Sequence, residues 1–202
     1  ITYVPGTLTI NQKALTITSD AQSTTYGTAL VLGTSGYTSS GLVNSDSITS
    51  VTLKQGTRTT VPATQSAGTY SGSTDGILAS AAQGTGLSNY SITYVPGTLT
   101  INQKALTITA NNNSKTYGDT LSFGSGSTAF TSSGLVNSET IGSVTVTDTN
   151  SGGVNTAAAG GTYALTPSLA TGGTFSTSNY DITYTAGALT VNKAVSYTHL
   201  TL

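Results

Sequence analysis

An all-β chain of tandem small domains, each about 90 residues long, is what this 202-residue sequence predicts, and three observations carry the expectation. Residues 1–18, ITYVPGTLTINQKALTIT, recur unchanged at residues 92–109, and a diverged copy, ITYTAGALTVNKA, starts at Ile182. Apolar and polar side chains alternate with a period of two, as a half-buried strand requires. Thr, Ser and Gly make up 94 of the 202 residues, a composition with poor helix propensity.

In chain order, residues 1–12 read as the C-terminal strand of a preceding repeat. Residues 13–103 form repeat unit 1, residues 104–193 form unit 2, and residues 194–202 are a stub or a non-native tail. Intermediate markers agree with this division. TTYG at Thr24 returns as KTYG at Lys115, GLVNS at Gly41 returns at Gly134, and NYSITY at Asn89 returns as NYDITY at Asn179. A period near 90 exceeds the roughly 20 to 50 residues of solenoid repeats, so each unit is expected to close its own core.

Leu15 and Ile17 alternate with Thr16 and Thr18, Val51 and Leu53 with Thr52 and Lys54, and Val144 and Val146 with Thr145 and Thr147. Each stretch predicts a strand. Tyr90, Ile92 and Tyr94 share one face of another, after which Pro96 and Gly97 are expected to turn the chain, with positive φ at the glycine, into a return strand carrying Leu99 and Ile101. The apolar parity switches between Ile101 and Leu106, so one strand ends and the next begins across Asn102–Ala105. A junction this short, without Gly or Pro, implies a fairly stiff rod of beads. The tail VSYTHLTL departs from the repeat, resembles translated adapter read-through, and holds the only His, His199.

Charge excludes several functions. Six Lys and Arg against seven Asp and Glu leave a net charge of −1, and the cations are scattered, so no phosphate-tracking surface for nucleic acid is expected. No apolar run approaches the roughly 20 residues that span a bilayer, and membrane insertion is not expected. With no Cys, the chain has neither a thiolate nucleophile nor a Cys-based zinc site. A Ser-His-Asp arrangement would have to use His199, which has no counterpart in either unit. Asp46 and Glu139 follow GLVNS in different units, so they are copies of one turn residue, expected to be solvated, rather than a catalytic pair. DTNSGG at Asp148–Gly153 has partly suitable calcium-loop spacing, but Ala159 stands where a twelfth-position Glu is needed. The sequons at Asn89 and Asn112 carry no weight in a chain this rich in Asn and Ser. Most of the tyrosines read as strand packers, with a sugar-stacking role left open for Tyr37. No cofactor is expected.

In order and spacing, the string K-A-L-T-I-T, K-T-Y-G-D, S-G-L-V-N-S, G-T-Y and N-Y-x-I-T-Y-x-x-G-x-L-T-[IV] resembles the MBG domain of the YGX type, found in bacterial surface proteins and filamentous-haemagglutinin-like adhesins. The resemblance covers about 180 of the 202 residues. Its motif positions here are Tyr26, Gly27, Tyr90, Tyr94 and Gly97 in unit 1, and Tyr117, Gly118, Asp119, Tyr180, Tyr184 and Gly187 in unit 2; Thr28 departs from the acidic pattern of Asp119. The resemblance implies a β-grasp-like or small β-sandwich module in a long exported protein, and no catalytic residue. The expected function is a non-enzymatic stalk or spacer of a bacterial cell-surface or secreted protein, with a carbohydrate- or surface-binding module as the alternative. Its expected partners are neighbouring repeats and an unknown surface ligand, glycan or protein, engaged through the parent protein.

Overall fold

The computed structural model describes residues 1–195, and His199 lies outside them. The chain divides into two compact units between Asn102 and Gln103. Unit 1 contains β1 (Lys13–Ser19), β2 (Gln22–Thr25), β3 (Leu30–Val31), β4 (Tyr37–Ser40), β5 (Ile48–Gln55), β6 (Thr60–Val61), β7 (Gly68–Tyr70), β8 (Ile77–Gly84), β9 (Tyr90–Val95) and β10 (Leu99–Asn102). Unit 2 contains β11 (Lys104–Ala110), β12 (Asn113–Thr116), β13 (Phe130–Ser133), β14 (Ile141–Asp148), β15 (Thr162–Gly173), β16 (Tyr180–Thr185) and β17 (Gly187–Asn192). Among the described residues the helical segments are one turn at Gly72–Asp75 and two short 3-10 turns, so layered β-sheets without a sheet-covering helix make up each unit.

The alternation read from the sequence becomes the core. In β1, Leu15 and Ile17 are fully buried while Thr16 and Thr18 lie on the other face. Leu53, Ile77 and Leu99 complete the centre of unit 1. Leu106, Ile108, Val144, Leu165 and Leu189 do the same in unit 2. Asn102 ends β10 and Lys104 starts β11, which places the parity switch between adjacent strands of the chain.

Each unit is closed by its ends. In unit 1, β9 lies parallel to β1, from Lys13 opposite Tyr90 to Thr18 opposite Val95, and β10 lies parallel to β2, from Leu99 opposite Gln22 to Asn102 opposite Thr25. Antiparallel neighbours complete both sheets, β4 beside β1 and β7 beside β10. Unit 2 repeats the scheme, with β16 parallel to β11 and β17 parallel to β12.

This topology corrects the expected turn at Pro96–Gly97. β9 and β10 do not pair with each other; the chain leaves one sheet at Val95 and enters another at Leu99. Nor does Gly97 take positive φ. It must be glycine because a Cβ there would stand 2.5 Å from Ser19 O and 2.6 Å from Asp20 O, and Gly187 is equally confined, 2.4 Å from Ala110 O. The same residue type is required, for close backbone approach rather than for a left-handed turn.

The units differ in two places. β15 runs unbroken for 12 residues, whereas in unit 1 the corresponding stretch is split into β7, the helical turn at Gly72–Asp75 and β8, with Gly72 at φ 78°. Unit 1 also has the short β3–β6 ladder, Leu30 opposite Val61 and Val31 opposite Thr60. In unit 2 the corresponding Leu121–Ser122 forms no strand, and Leu121 N–H donates to Gly153 O at 2.9 Å.

Residues 1–11 are identical to residues 92–102, yet they form no strand. Leu8 is 85% exposed where Leu99 is fully buried, and Ile10 is 87% exposed where Ile101 is 3% exposed. The physical reason is partnership: Lys13–Thr18 and Gln22–Thr25 are already paired with Tyr90–Val95 and Leu99–Asn102. This contrast supplies its own control. Leu99→Ala should destabilise unit 1 by about 2–5 kcal/mol, and Leu8→Ala in the same chain should stay within about 0.5 kcal/mol of the parent. Urea unfolding of both variants measures the difference, and equal losses would show that burial does not separate the two copies.

Candidate functional site

The motif residues occupy three local structures, each present in both units. The first is the Tyr-Gly-x turn. Thr28 N–H donates to Thr25 O at 3.0 Å and Asp119 N–H donates to Thr116 O at 3.1 Å. Gly27 at φ 86° and Gly118 at φ 97° take the third position, where a left-handed backbone is needed. The tyrosine amides fasten the turn to the last strand of the unit: Tyr26 N–H to Asn102 O at 2.9 Å, Tyr117 N–H to Asn192 O at 2.8 Å.

The two turns are braced differently. In unit 2 the Asp119 carboxylate accepts from Thr116 N–H at 3.3 Å, and Lys115, only 5% exposed, donates its Nζ to Asp119 O at 3.0 Å and to Val154 O. In unit 1 Thr24 Oγ1 donates to Thr28 O at 3.2 Å. Thr28 therefore costs the turn its carboxylate acceptor, while the side chain four residues earlier keeps its bond to the same carbonyl. The tyrosines differ in burial as well, Tyr26 being 4% and Tyr117 49% exposed.

The second structure is the buried tyrosine at the start of β9 and β16. Tyr90 Oη accepts from Val43 N–H at 2.9 Å and donates to Asp46 Oδ2 at 2.9 Å. Tyr180 Oη accepts from Val136 N–H at 3.1 Å and donates to Glu139 Oε2. The acid after GLVNS is thus a half-buried hydrogen-bond acceptor for a buried phenol, not the solvated turn residue expected. Burial pushes the Tyr90 phenol above its ordinary value of 10.0; the bond from the Val43 backbone opposes this, and the Asp46 carboxylate adds to it.

The third structure is a β-bulge held by the second tyrosine. Between Ser80 and Gln83, Ala81 takes φ 49° and two residues of β8 oppose Val51 of β5; between Ser168 and Thr171, Leu169 takes φ 48° opposite Val144 of β14. A bulge releases one N–H from the ladder. Tyr94 Oη accepts that of Ala82 at 3.1 Å, and Tyr184 Oη accepts that of Ala170 at 2.9 Å. Tyr37, left open as a sugar platform, is half-buried and donates to Ile48 O at 3.0 Å.

Every family-motif tyrosine and glycine named from the sequence falls in one of these three structures, except Gly97 and Gly187, which sit where the chain crosses between sheets. The structure does not gather the motif residues into one surface site. Sequence reasoning missed the pairing of Tyr90 with Asp46 and of Tyr180 with Glu139, although both partners recur together in the two units. It also missed buried Lys115 and the bulges, which leave no pattern in the sequence. Among the described residues no three His, Cys, Asp or Glu side chains assemble as a metal-binding group.

Two copies of one small β-domain, braced internally by tyrosines and glycines, define a tandem structural repeat. The chain belongs to the MBG domain (YGX type) family, whose sequence model matches residues 15–100 and 106–190. No curated protein and no solved structure matches the chain.

Two outcomes follow from the tyrosine bonds. Tyr94→Phe leaves the Ala82 N–H without its acceptor and should cost about 1–3 kcal/mol, read by chemical denaturation against the parent. The raised folded-state value of Tyr90 means its contribution is fully present below pH 10 and is lost as pH rises through the folded value. The thermal midpoint of unit 1 should accordingly fall less steeply above pH 10 in Tyr90→Phe than in the parent; identical slopes would remove Tyr90 from the alkaline transition.

Proposed function

We propose that the chain is a non-enzymatic structural segment, a stalk or spacer, of a bacterial cell-surface or secreted protein. The observation that carries this reading is self-closure: each unit pairs its own first strands with its own last strands and builds its own core. Units closed in this way can be added in series without needing a neighbour to fold. Only Gln103 separates the last strand of one from the first strand of the next. Residues 1–12 then serve as the closing strands of a preceding repeat, and neighbouring repeats are the first partners.

Family membership supports an extracellular setting, and among the described residues no helix is long and apolar enough to cross a membrane. The hydroxyl-rich exterior supports it too, since Thr and Ser keep the surface hydrated with only 13 charged side chains in 202 residues. The motif carboxylates Asp46 and Glu139 are engaged in bracing, which favours a mechanical role over chemistry. The alternative, a carbohydrate- or surface-binding module in which the parent protein meets a glycan or protein ligand, gains support from one cavity in unit 2.

Small-angle scattering of the whole chain tests the spacer. A compact globule of this length has a radius of gyration of about 17 Å. The spacer requires a clearly larger radius and a scattering profile of two beads in line; a value near that of the globule would remove it.

A further inference from the structure

Unit 2 contains a cavity of about 470 Å³ bounded by residues 120–124 on one side and by the end of β14 with the turn after it on the other. In unit 1 the β3–β6 ladder and Leu32, the counterpart of Phe123 and only 4% exposed, leave no such opening beside residues 30–33; the cavity of about 360 Å³ at the end of β5 is lined instead by Gln55, Gly56, Thr57, Arg58, Gln65, Thr74 and Asp75, without an aromatic ring. The opening in unit 2 arises from the turn Asp148–Val154. Gly153 passes so close to Leu121 that a Cβ would lie 2.4 Å from its carbonyl oxygen, and Ser151 takes φ 57°. One hydrogen bond, Leu121 N–H to Gly153 O, replaces the ladder.

The walls have a definite chemistry. Phe123, half-buried, supplies an aromatic surface, and Ser122, Thr145, Thr147 and Ser151 supply hydroxyls. Asp148 is held by Gly153 N–H at 2.5 Å through Oδ2, while its Oδ1 is buried and has no hydrogen-bond partner. A buried carboxylate oxygen without a donor is costly, and a ligand donor would relieve that cost once the Ser151–Val154 turn yields enough to admit it. A metal ion is a poor fit. Calcium takes six to eight oxygen ligands, whereas this cavity offers one carboxylate, and Val154 O in its wall already accepts from the Lys115 ammonium. An anion would meet Asp148. The chemistry that suits an aromatic surface, several hydroxyls and an unsatisfied carboxylate oxygen is a neutral polyol with one apolar face.

We propose that this cavity of unit 2 is a saccharide-binding site, in which Phe123 packs against the C–H face of a pyranose and Asp148 accepts hydrogen bonds from its hydroxyls. Unit 1, with Leu32 and Gln55 at the equivalent positions, lacks the site. The proposal is independent of the spacer role: a chain that binds no sugar can still be a rod, and a compact chain can still hold a sugar.

The test is an amide NMR titration of the whole ¹⁵N-labelled chain with lactose, maltose and N,N′-diacetylchitobiose as separate probes. At least one probe should give saturable shifts confined to residues 121–124 and 148–154, with a dissociation constant on the order of 1 mM and no matching shifts at residues 30–33 and 55–58. Phe123→Leu, which installs the residue unit 1 already tolerates, and Asp148→Asn, which keeps an oxygen for Gly153 N–H, should each weaken binding about tenfold or more. The dispersion of the free spectrum confirms that both variants are folded. The site is overturned by no saturable shift with any of the three sugars up to about 50 mM, by equal shifts in unit 1, or by binding that survives both substitutions.

Discussion

Parallel pairing between the first and last strands of each unit is the constraint on which the rest of the structure depends. Lys13–Thr18 finds its parallel partner at Tyr90–Val95, and Gln22–Thr25 finds its own at Leu99–Asn102. All the chain between must be arranged so that these ends meet. Such non-local contacts carry the loop-closure entropy of the whole unit before they stabilise anything. Once made, they bring Leu15, Ile17, Leu99 and Ile101 out of water together, and the intervening strands add to that core.

The tyrosines follow from this closure. β9 and β16 are the strands that complete the first sheet, and each carries two phenols whose hydroxyls reach parts of the unit that do not pair with it in a ladder. Tyr90 and Tyr180 hold the GLVNS loop; Tyr94 and Tyr184 hold the bulged strand. A phenol suits this work because its ring contributes apolar burial while its oxygen meets a polar group at the edge of the core. The two units preserve these ties while other parts drift: the split of β15 into β7 and β8, the exchange of Lys115 for Thr24, and the opening beside Phe123. The exchange of Lys115 for Thr24 lies within β12 and β2, but the larger changes, the split of β15 and the opening beside Phe123, lie away from the closing strands. That is also where a binding cavity has room to form.

Much of the fold could be read from residue order alone. The 91-residue recurrence and the alternation of Leu15, Ile17, Val51, Leu53, Val144 and Val146 gave the repeat, the strand class and the inward faces, because a strand's side chains alternate whatever it pairs with. The parity switch between Ile101 and Leu106 marked the end of one strand and the start of the next. Gly97 was recognised as obligatory but for another reason, since sequence marks a glycine without showing whether φ or a nearby carbonyl demands it. Asp46 and Glu139 were recognised as equivalent yet not as partners of Tyr90 and Tyr180, because separations of 44 and 41 residues leave no local pattern. The cavity at Phe123 depends on the path of the Asp148–Val154 turn, which no periodicity encodes.

Residues 1–11 and 92–102 mark the division most clearly. Their letters are the same, so strand propensity, alternation and apolar content are the same, and by itself the sequence determined that both could be strands with Leu and Ile on one face. Only the tertiary structure decided that one is: Tyr90–Val95 and Leu99–Asn102 have β1 and β2 to pair with, and Ile1–Asn11 do not. A β-strand satisfies its backbone hydrogen bonds outside itself, so its existence is a property of its neighbours as much as of its residues.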